Sequence, residues 1–438
     1  MNRRERRTAG GILRGGALGF ALALTMTLGA FVGEARADLE PDYHAWFRPS
    51  AANLDNWLFW EVDGDPFQVE IHKREGPSSR APRRVLVLFP RPSSAYDVAM
   101  NKILDLFVQK GVNAEIKVVN FRKQQERGRE ALAAAEDWGA ELIFAMGSES
   151  TAWLWKTYRG GKIPVVSVCS KDPVLLGQAQ SYDTGSGTNF AFTSLNMPVE
   201  AQMAYLEKLN PNLKNLGILV NSKNVSAVET QAKPMLRYAA KKGIRVLYLD
   251  VKNPRNAAEE LAGLVRGAVA TMRKNDPTLD HSLFWVTGST AVFREIQAIN
   301  RNSDRVPVLS VVPDVVQAGE DSAVLSIGIG FESNAHLAAI YGIEVLEQPS
   351  RVGELQVGIV TPPDIAINFR KAREIGLKIP FQFLESATFV YDYEGRTVRE
   401  NGGTTQRRQA LPAKASDPRP QDKPLQSKVP GRAPSSDG

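Results

Sequence analysis

From about Val85 to Tyr393 the chain alternates short, unbroken apolar runs with longer segments whose apolar positions recur at helical spacing. Arg84-Val85-Leu86-Val87-Leu88-Phe89 predicts a strand. A polar loop follows at 90–94, then a helix running to Gln109-Lys110-Gly111, then a strand at 114–119. The same order returns further on, with a strand at Leu216-Gly217-Ile218-Leu219-Val220, a polar loop at 221–224, a helix ending at Lys241-Lys242-Gly243 and a strand at 245–249. Leu142-Ile143-Phe144-Ala145-Met146 leads into Gly147-Ser148-Glu149-Ser150, as Leu283-Phe284-Trp285-Val286 leads into Thr287-Gly288-Ser289-Thr290. Ile163-Pro164-Val165-Val166-Ser167-Val168 is echoed by Val306-Pro307-Val308-Leu309-Ser310-Val311, and Asp172 precedes Gly177 as Asp314 precedes Gly319. This is an internal repeat. Each copy reads strand, helix, strand, helix, strand, helix, strand. Continuous apolar strands belong to parallel sheets covered on both faces. Right-handed crossovers make each copy a doubly wound α/β lobe. Two such lobes imply a cleft, and ligands of open α/β sheets sit beyond the carboxyl ends of the strands.

The flanks read differently. Arg3, Arg4, Arg6 and Arg7 precede an uncharged apolar stretch that ends at Ala35-Arg36-Ala37, so residues 1–37 are expected to be a secretory signal peptide. Residues 38–84 form an extension carrying Trp46, Trp57 and Trp60, which closes in a polar linker at Gly76-Pro77-Ser78-Ser79-Arg80. Packing of this extension on its own body is the simpler expectation, contact with a partner the other. Residues 396–438 turn basic and Pro-rich with almost no large apolar residue, and are expected to be disordered.

Composition narrows the function classes. The chain has 438 residues, 43% of them hydrophobic, enough for two domains with large cores. Its one cysteine, Cys169, lies far from the cleavage site and permits neither a lipoprotein anchor, an intramolecular disulfide nor a cysteine-based metal site. The expected location is the periplasm, reached by either export route. The net charge of +6 gathers partly in the two flanks and forms no basic stripe with interleaved aromatics, so nucleic acid is not an expected partner. The four histidines are scattered, and the sequence carries no GxSxG elbow and no phosphate-binding GK[ST] loop; no catalytic residue, metal or cofactor is expected.

The candidate chemistry lies in the loops that follow the strands. Ser93 and Ser94 close the first loop. Ser148, Ser150 and Thr151 stand at one predicted helix start, Ser289 and Thr290 at the equivalent start in the other copy. Such residues cap helices, and the free N–H groups there also receive anions. Asn221 and Asn224 fit a ligand contact or a turn equally well. Asp172 and Asp314 are candidate partners for a ligand ammonium group, or simply turn residues.

Several segments together resemble one known family, the ABC transporter substrate-binding proteins of the tryptophan/tyrosine-type group, which have the type 1 periplasmic binding fold. Gly147-Ser148-Glu149-Ser150-Thr151-Ala152 stands where the family has its Thr-Pro-Ala-Ala loop. Ile163-Pro164-Val165-Val166 with Lys171-Asp172-Pro173-Val174 follows another family segment. Asn189-Phe190-Ala191-Phe192 keeps the asparagine of the family's crossover without its glycine, and the loop 220–226 has lost the family's tyrosine and proline. The closest correspondence is Ile367-Asn368-Phe369-Arg370-Lys371-Ala372-Arg373-Glu374-Ile375-Gly376-Leu377-Lys378-Ile379-Pro380. The resemblance implies two lobes joined by three crossovers, with the second near Gly319 to Ala323 and the last near Gln348 to Gly353. Residues 324–327 and a helix at 333–346 would then return to the first lobe. The lobes are accordingly expected at 85–191 plus 323–348 and at 192–322 plus 349–395.

By this resemblance the chain is a monomeric receptor that closes over a small, amino-acid-like solute and docks on an ABC permease in the inner membrane. A sensory module feeding a chemoreceptor or histidine kinase is the alternative, and an enzyme the least supported.

Overall fold

The computed structural model describes residues 42–74, 81–319 and 321–405. The signal-peptide segment, the linker glycine to arginine at 76–80 and residues 406–438 of the tail lie outside these. The first sheet contains β1 (Trp57–Val62), β2 (Asp65–Lys73), β3 (Arg83–Phe89), β4 (Ala114–Asn120), β5 (Leu142–Met146), β6 (Val165–Val168) and β7 (Phe190–Ala191), in the order β1-β2-β4-β3-β5-β6-β7. From β4 to β7 every pairing is parallel. A two-strand ladder joins β8 (Thr193–Ser194) to a later strand. The second sheet opens with β9 (Asn215–Val220), β10 (Arg245–Asp250), β11 (Ser282–Val286), β12 (Val308–Ser310) and β13 (Leu325–Gly328), in the parallel order β10-β9-β11-β12-β13. The repeat read from the sequence is therefore two sheets of one strand order, each with helices between its strands. Strands β5, β9 and β11 are buried throughout, as strands covered on both faces must be.

Three expectations are corrected by the pairing. The first concerns residues 324–327, which the resemblance returned to the first lobe. Instead Leu309 faces Leu325 in parallel and Ile367 faces Leu325 from the other side, so β13 is the fifth strand of the second sheet, the counterpart of β7 in the first. The crossover comes after it, at Gly328-Ile329-Gly330, and the helix Phe331–Glu347 then packs on the helix Ser94–Gln109 and on β5 and β6 of the first lobe. Asn334 in its first turn anchors it, accepting from Cys169 N at 2.7 Å and from Thr193 Oγ1 at 3.2 Å.

The second correction places the last return. Residues 349–354 still run beside β7, and β14 (Gly358–Ile359) pairs with β8 before β15 (Asp364–Asn368) re-enters the second sheet. The third concerns the tail, expected to be disordered from residue 396. After β16 (Phe389–Tyr391), a hairpin of β17 (Thr397–Glu400) and β18 (Gly403–Thr404) extends the second sheet through residues assigned to the tail. At the other end β1 and β2 form a hairpin on the edge of the first sheet, β2 running antiparallel to β4. Trp46 and Trp57 are buried there while Trp60 is exposed, so the extension is a structural part of the first lobe.

Candidate functional site

The loops beyond the carboxyl ends of the strands converge on one open cleft of about 1830 Å³, counted with the solvent in its mouth. Arg91 and Ser93 come from the loop after β3, Lys123 from after β4, Ser148 and Glu149 from after β5, and Cys169 and Lys171 from after β6. On the opposite side Asn221 to Ser226 follow β9, Pro254 follows β10, and Gly288 to Glu295 follow β11. Each copy of the repeat supplies one wall. This is the location the strand order dictates for a ligand.

Six of the sequence-predicted residues line these walls: Ser93, Ser148, Asn221, Asn224, Ser289 and Thr290. Ser148 Oγ accepts from Lys171 N at 2.8 Å and so fixes the loop after β6. Asn221 Oδ1 accepts from Lys223 N at 2.8 Å, and Asn224 Oδ1 caps the helix after β9 by accepting from Ala227 N at 3.2 Å. That helix contains a π-helical turn at Val228–Ala232, a feature frequent at functional sites. It brings Gln231 Oε1 within 2.8 Å of Gly288 N. Ser289 is 1% exposed, and its Oγ has no partner.

The other five do not line the cleft. Ser94 is exposed at the head of its helix. Ser150 is buried and its Oγ donates to Leu88 O at 3.1 Å; Thr151 Oγ1 donates to Gly147 O at 2.9 Å. Asp172 is absorbed by its own turn. Its Oδ1 accepts from Val174 N at 2.9 Å and Leu175 N at 3.0 Å, and its Oδ2 accepts from Tyr182 Oη at 2.5 Å. Asp314 keeps exposed surface but sits in a recess of the protein, where desolvation first and Asp364 beyond it push its carboxyl up to about 6. Loss of the Ser150 hydroxyl should accordingly act on stability alone. Ser150→Ala is expected to lower unfolding free energy by about 1 kcal/mol, with affinity for any cleft ligand unchanged. Urea unfolding and a ligand titration check both halves; a change in affinity would return Ser150 to the site.

The cleft also holds residues that sequence reasoning passed over. Arg91 Nε and Lys123 Nζ both donate to the Glu149 carboxylate, at 3.0 and 2.5 Å. Tyr96, buried under the Arg91 guanidinium, packs so closely on Gly147 that a Cβ there would collide with its ring, and Gly147 itself has φ 74°. The Cys169 thiol is buried, which pushes its ionisation up, and its Sγ donates to Phe331 O at 3.6 Å. It is a packed thiol in the wall, not a reactive one. The residue next but one, Lys171, is 7% exposed and reaches the opposite wall. A Cβ on Gly288 would collide with its Nζ and come within 3.3 Å of the Gln231 amide. Burial lowers the Lys171 ammonium to about 8. Its signal was present in the sequence as a lysine at the carboxyl end of an apolar strand.

Among the described residues no group of histidine, cysteine and acidic side chains could hold a metal ion, and no helix is long and apolar enough to cross a membrane.

A structure from Vibrio cholerae, described as a conserved domain protein, is 19% identical and superposes with a TM-score of 0.55 over 71% of this chain and 100% of its own. An ABC domain from Streptococcus pneumonia in complex with L-Trp is 18% identical, with a TM-score of 0.55 over 70% of this chain and 100% of its own. CD0873 from Clostridium difficile, a substrate binding protein with adhesive properties seen ligand-free and open, is 18% identical, with a TM-score of 0.53 over 70% of this chain and 98% of its own. At these identities they establish the fold, that of type 1 periplasmic binding proteins. No curated protein sequence matches the chain. The family model for ABC transporter substrate binding proteins matches residues 93–391, from Ser93 in the first cleft loop to Tyr391 in β16. Apart from Arg91, the cleft lining and the returning helix thus fall within a single family match, and the chain belongs to the ABC transporter substrate binding protein family.

Proposed function

We propose that this chain is the periplasmic receptor of an ABC importer. It captures a small polar or carboxylate-bearing, amino-acid-like solute between its lobes and passes it, chemically unchanged, to an inner-membrane permease. The observation that carries this reading is the cleft itself, into which the strand-end loops of both sheets project. Closure about the β8–β14 ladder and the Gly328-Ile329-Gly330 connection would bury the solute and present a new surface to the permease. Ser93, Ser148, Asn221, Asn224, Ser289 and Thr290 are the proposed polar contacts, and the relative in complex with L-Trp supports an amino-acid-like ligand. The protein acts as a monomer, with no cofactor.

A thermal-shift screen of the purified protein against amino acids, small carboxylates and their uncharged analogues tests the reading. A ligand of the folded state present at a hundred times its dissociation constant adds about 3 kcal/mol of stability, a clear rise in melting temperature. Cooperative melting with no shift across the whole panel would count against a solute receptor.

A further inference from the structure

Lys171 is buried without a counter-charge. Among the described residues no carboxylate and no hydrogen-bond acceptor pairs with its Nζ. Asp172, its neighbour, is held by two backbone N–H groups and Tyr182. Glu149 is shared by Arg91 and Lys123. A buried ammonium with no partner is costly, and such groups persist where something else supplies the partner. Lys171 lines the cleft, so a partner bound there can reach it. Two further polar atoms in the same walls are buried and unsatisfied: Ser289 Oγ, directly after the Gly288 against which Nζ rests, and Gln178 Oε1. The hydroxyl can donate to the same anion that receives the ammonium.

The charge of the cleft as a whole agrees. Its lining carries Arg91, Lys123, Lys171, Lys223 and Arg294 against Glu149 and Glu295, with Glu149 already engaged. Arg91 and Lys123 are themselves engaged by Glu149, so the unpaired buried donors are Lys171 Nζ and Ser289 Oγ, a set that matches one carboxylate. We propose that Lys171 is the receptor for a carboxylate of the solute, and that its unpaired charge selects small carboxylic acids of net negative charge over zwitterionic, neutral or cationic solutes. This rests on the solute-receptor reading and narrows its ligand class. Burial supports it, since an ammonium lowered to about 8 regains its ordinary affinity for protons when an anion arrives.

Isothermal titration of the full chain at pH 7 with succinate, glutarate, benzoate and L-glutamate, set against glutaramide, benzamide, L-leucine, putrescine and inorganic phosphate, tests the proposal. The wild type is expected to bind at least one acid more tightly than its amide, its zwitterionic relative and phosphate. Lys171→Met should weaken that acid on the order of 100-fold, and Lys171→Arg, which keeps the charge, by much less. Unchanged acid binding in Lys171→Met, or a preference for a neutral, zwitterionic or phosphate probe, overturns the proposal while leaving a solute receptor. If Lys171→Met fails to fold, the acid-against-amide preference of the wild type decides alone. A cooperatively folded wild type that binds nothing in the panel overturns the receptor reading itself, and this proposal with it.

Discussion

Phe47→Ala should remove about 3–5 kcal/mol of stability, although Phe47 lies outside the family match and far from any cleft loop in sequence. Its ring is fully buried and meets Phe89 at 5.9 Å, Phe59 at 6.1 Å and Tyr43 at 6.4 Å. Phe89 ends β3, and the next residues form a wall of the cleft, so the extension and the site share one core. Truncation leaves a cavity among aromatic neighbours that cannot collapse together without moving β3. Trp60, 57% exposed on the outer side of β1, provides the control: Trp60→Ala should change stability by less than about 1 kcal/mol. Urea unfolding of both variants measures the contrast. A loss of under 1 kcal/mol for Phe47→Ala would mean that the extension detaches without disturbing the first lobe.

The hairpin that carries this contact was in fact written in the sequence. Val62 pairs with Asp65 across Asp63-Gly64, an Asp-Gly pair of the kind that closes two-residue hairpins, and Gly64 has φ 79°. In β2, Phe67, Val69 and Ile71 alternate with Gln68, Glu70 and His72, the period of a strand with one face on a core. The tryptophans and prolines around it obscure the alternation. The repeat was legible for a simpler reason, since long apolar strands and matched loops recur in the same order in both halves. The place of β13 was not legible. A buried run of four residues fits either sheet, and only its neighbours in space, Leu309 and Ile367, assign it.

The site was legible by position more than by residue. The fold puts the loops that follow the strands at the cleft. Which side chain in each loop faces the solute depends on contacts that sequence spacing does not reveal. Asp172 looked like the charged group of its loop, yet the turn at Val174 and Leu175 and the Tyr182 hydroxyl consume both its oxygens. Lys171, one residue earlier, points into the cleft because the chain leaves β6 through Cys169 in a left-handed conformation, φ 52°, which turns the following residues out of the strand's alternation.

The charge on Lys171 should therefore destabilise the ligand-free protein below about pH 8 and cease to do so by about pH 10. The folded Lys171 has its pKa lowered from 10.5 to about 8, chiefly by burial, so across that interval the unfolded chain holds a proton that the folded chain has released. Where the unfolded state binds more protons, stability rises with pH. Below pH 8 the full penalty of the buried charge is present, about 3 kcal/mol for a shift of this size, and it fades as the folded group gives up its proton. The neighbouring Cys169 thiol works the other way: burial raises its ionisation in the folded chain, so it costs stability as pH rises through the ordinary thiol range. It does so in the wild type and in Lys171→Met, and the difference between the two proteins therefore isolates Lys171; Arg91, Lys123, Glu149, Lys223, Arg294 and Glu295 share the cleft lining in both. Lys171→Met has no proton to lose, so it should be the more stable protein at pH 7 and lose that advantage by pH 10. Unfolding free energies of the two proteins, measured in urea across that range without ligand, give the difference directly. Parallel curves would mean that Lys171 is not held in a desolvated, uncompensated state. Convergent ones would show an empty protein destabilised by a charge that its solute is there to neutralise, an arrangement in which stability is traded for affinity at one residue.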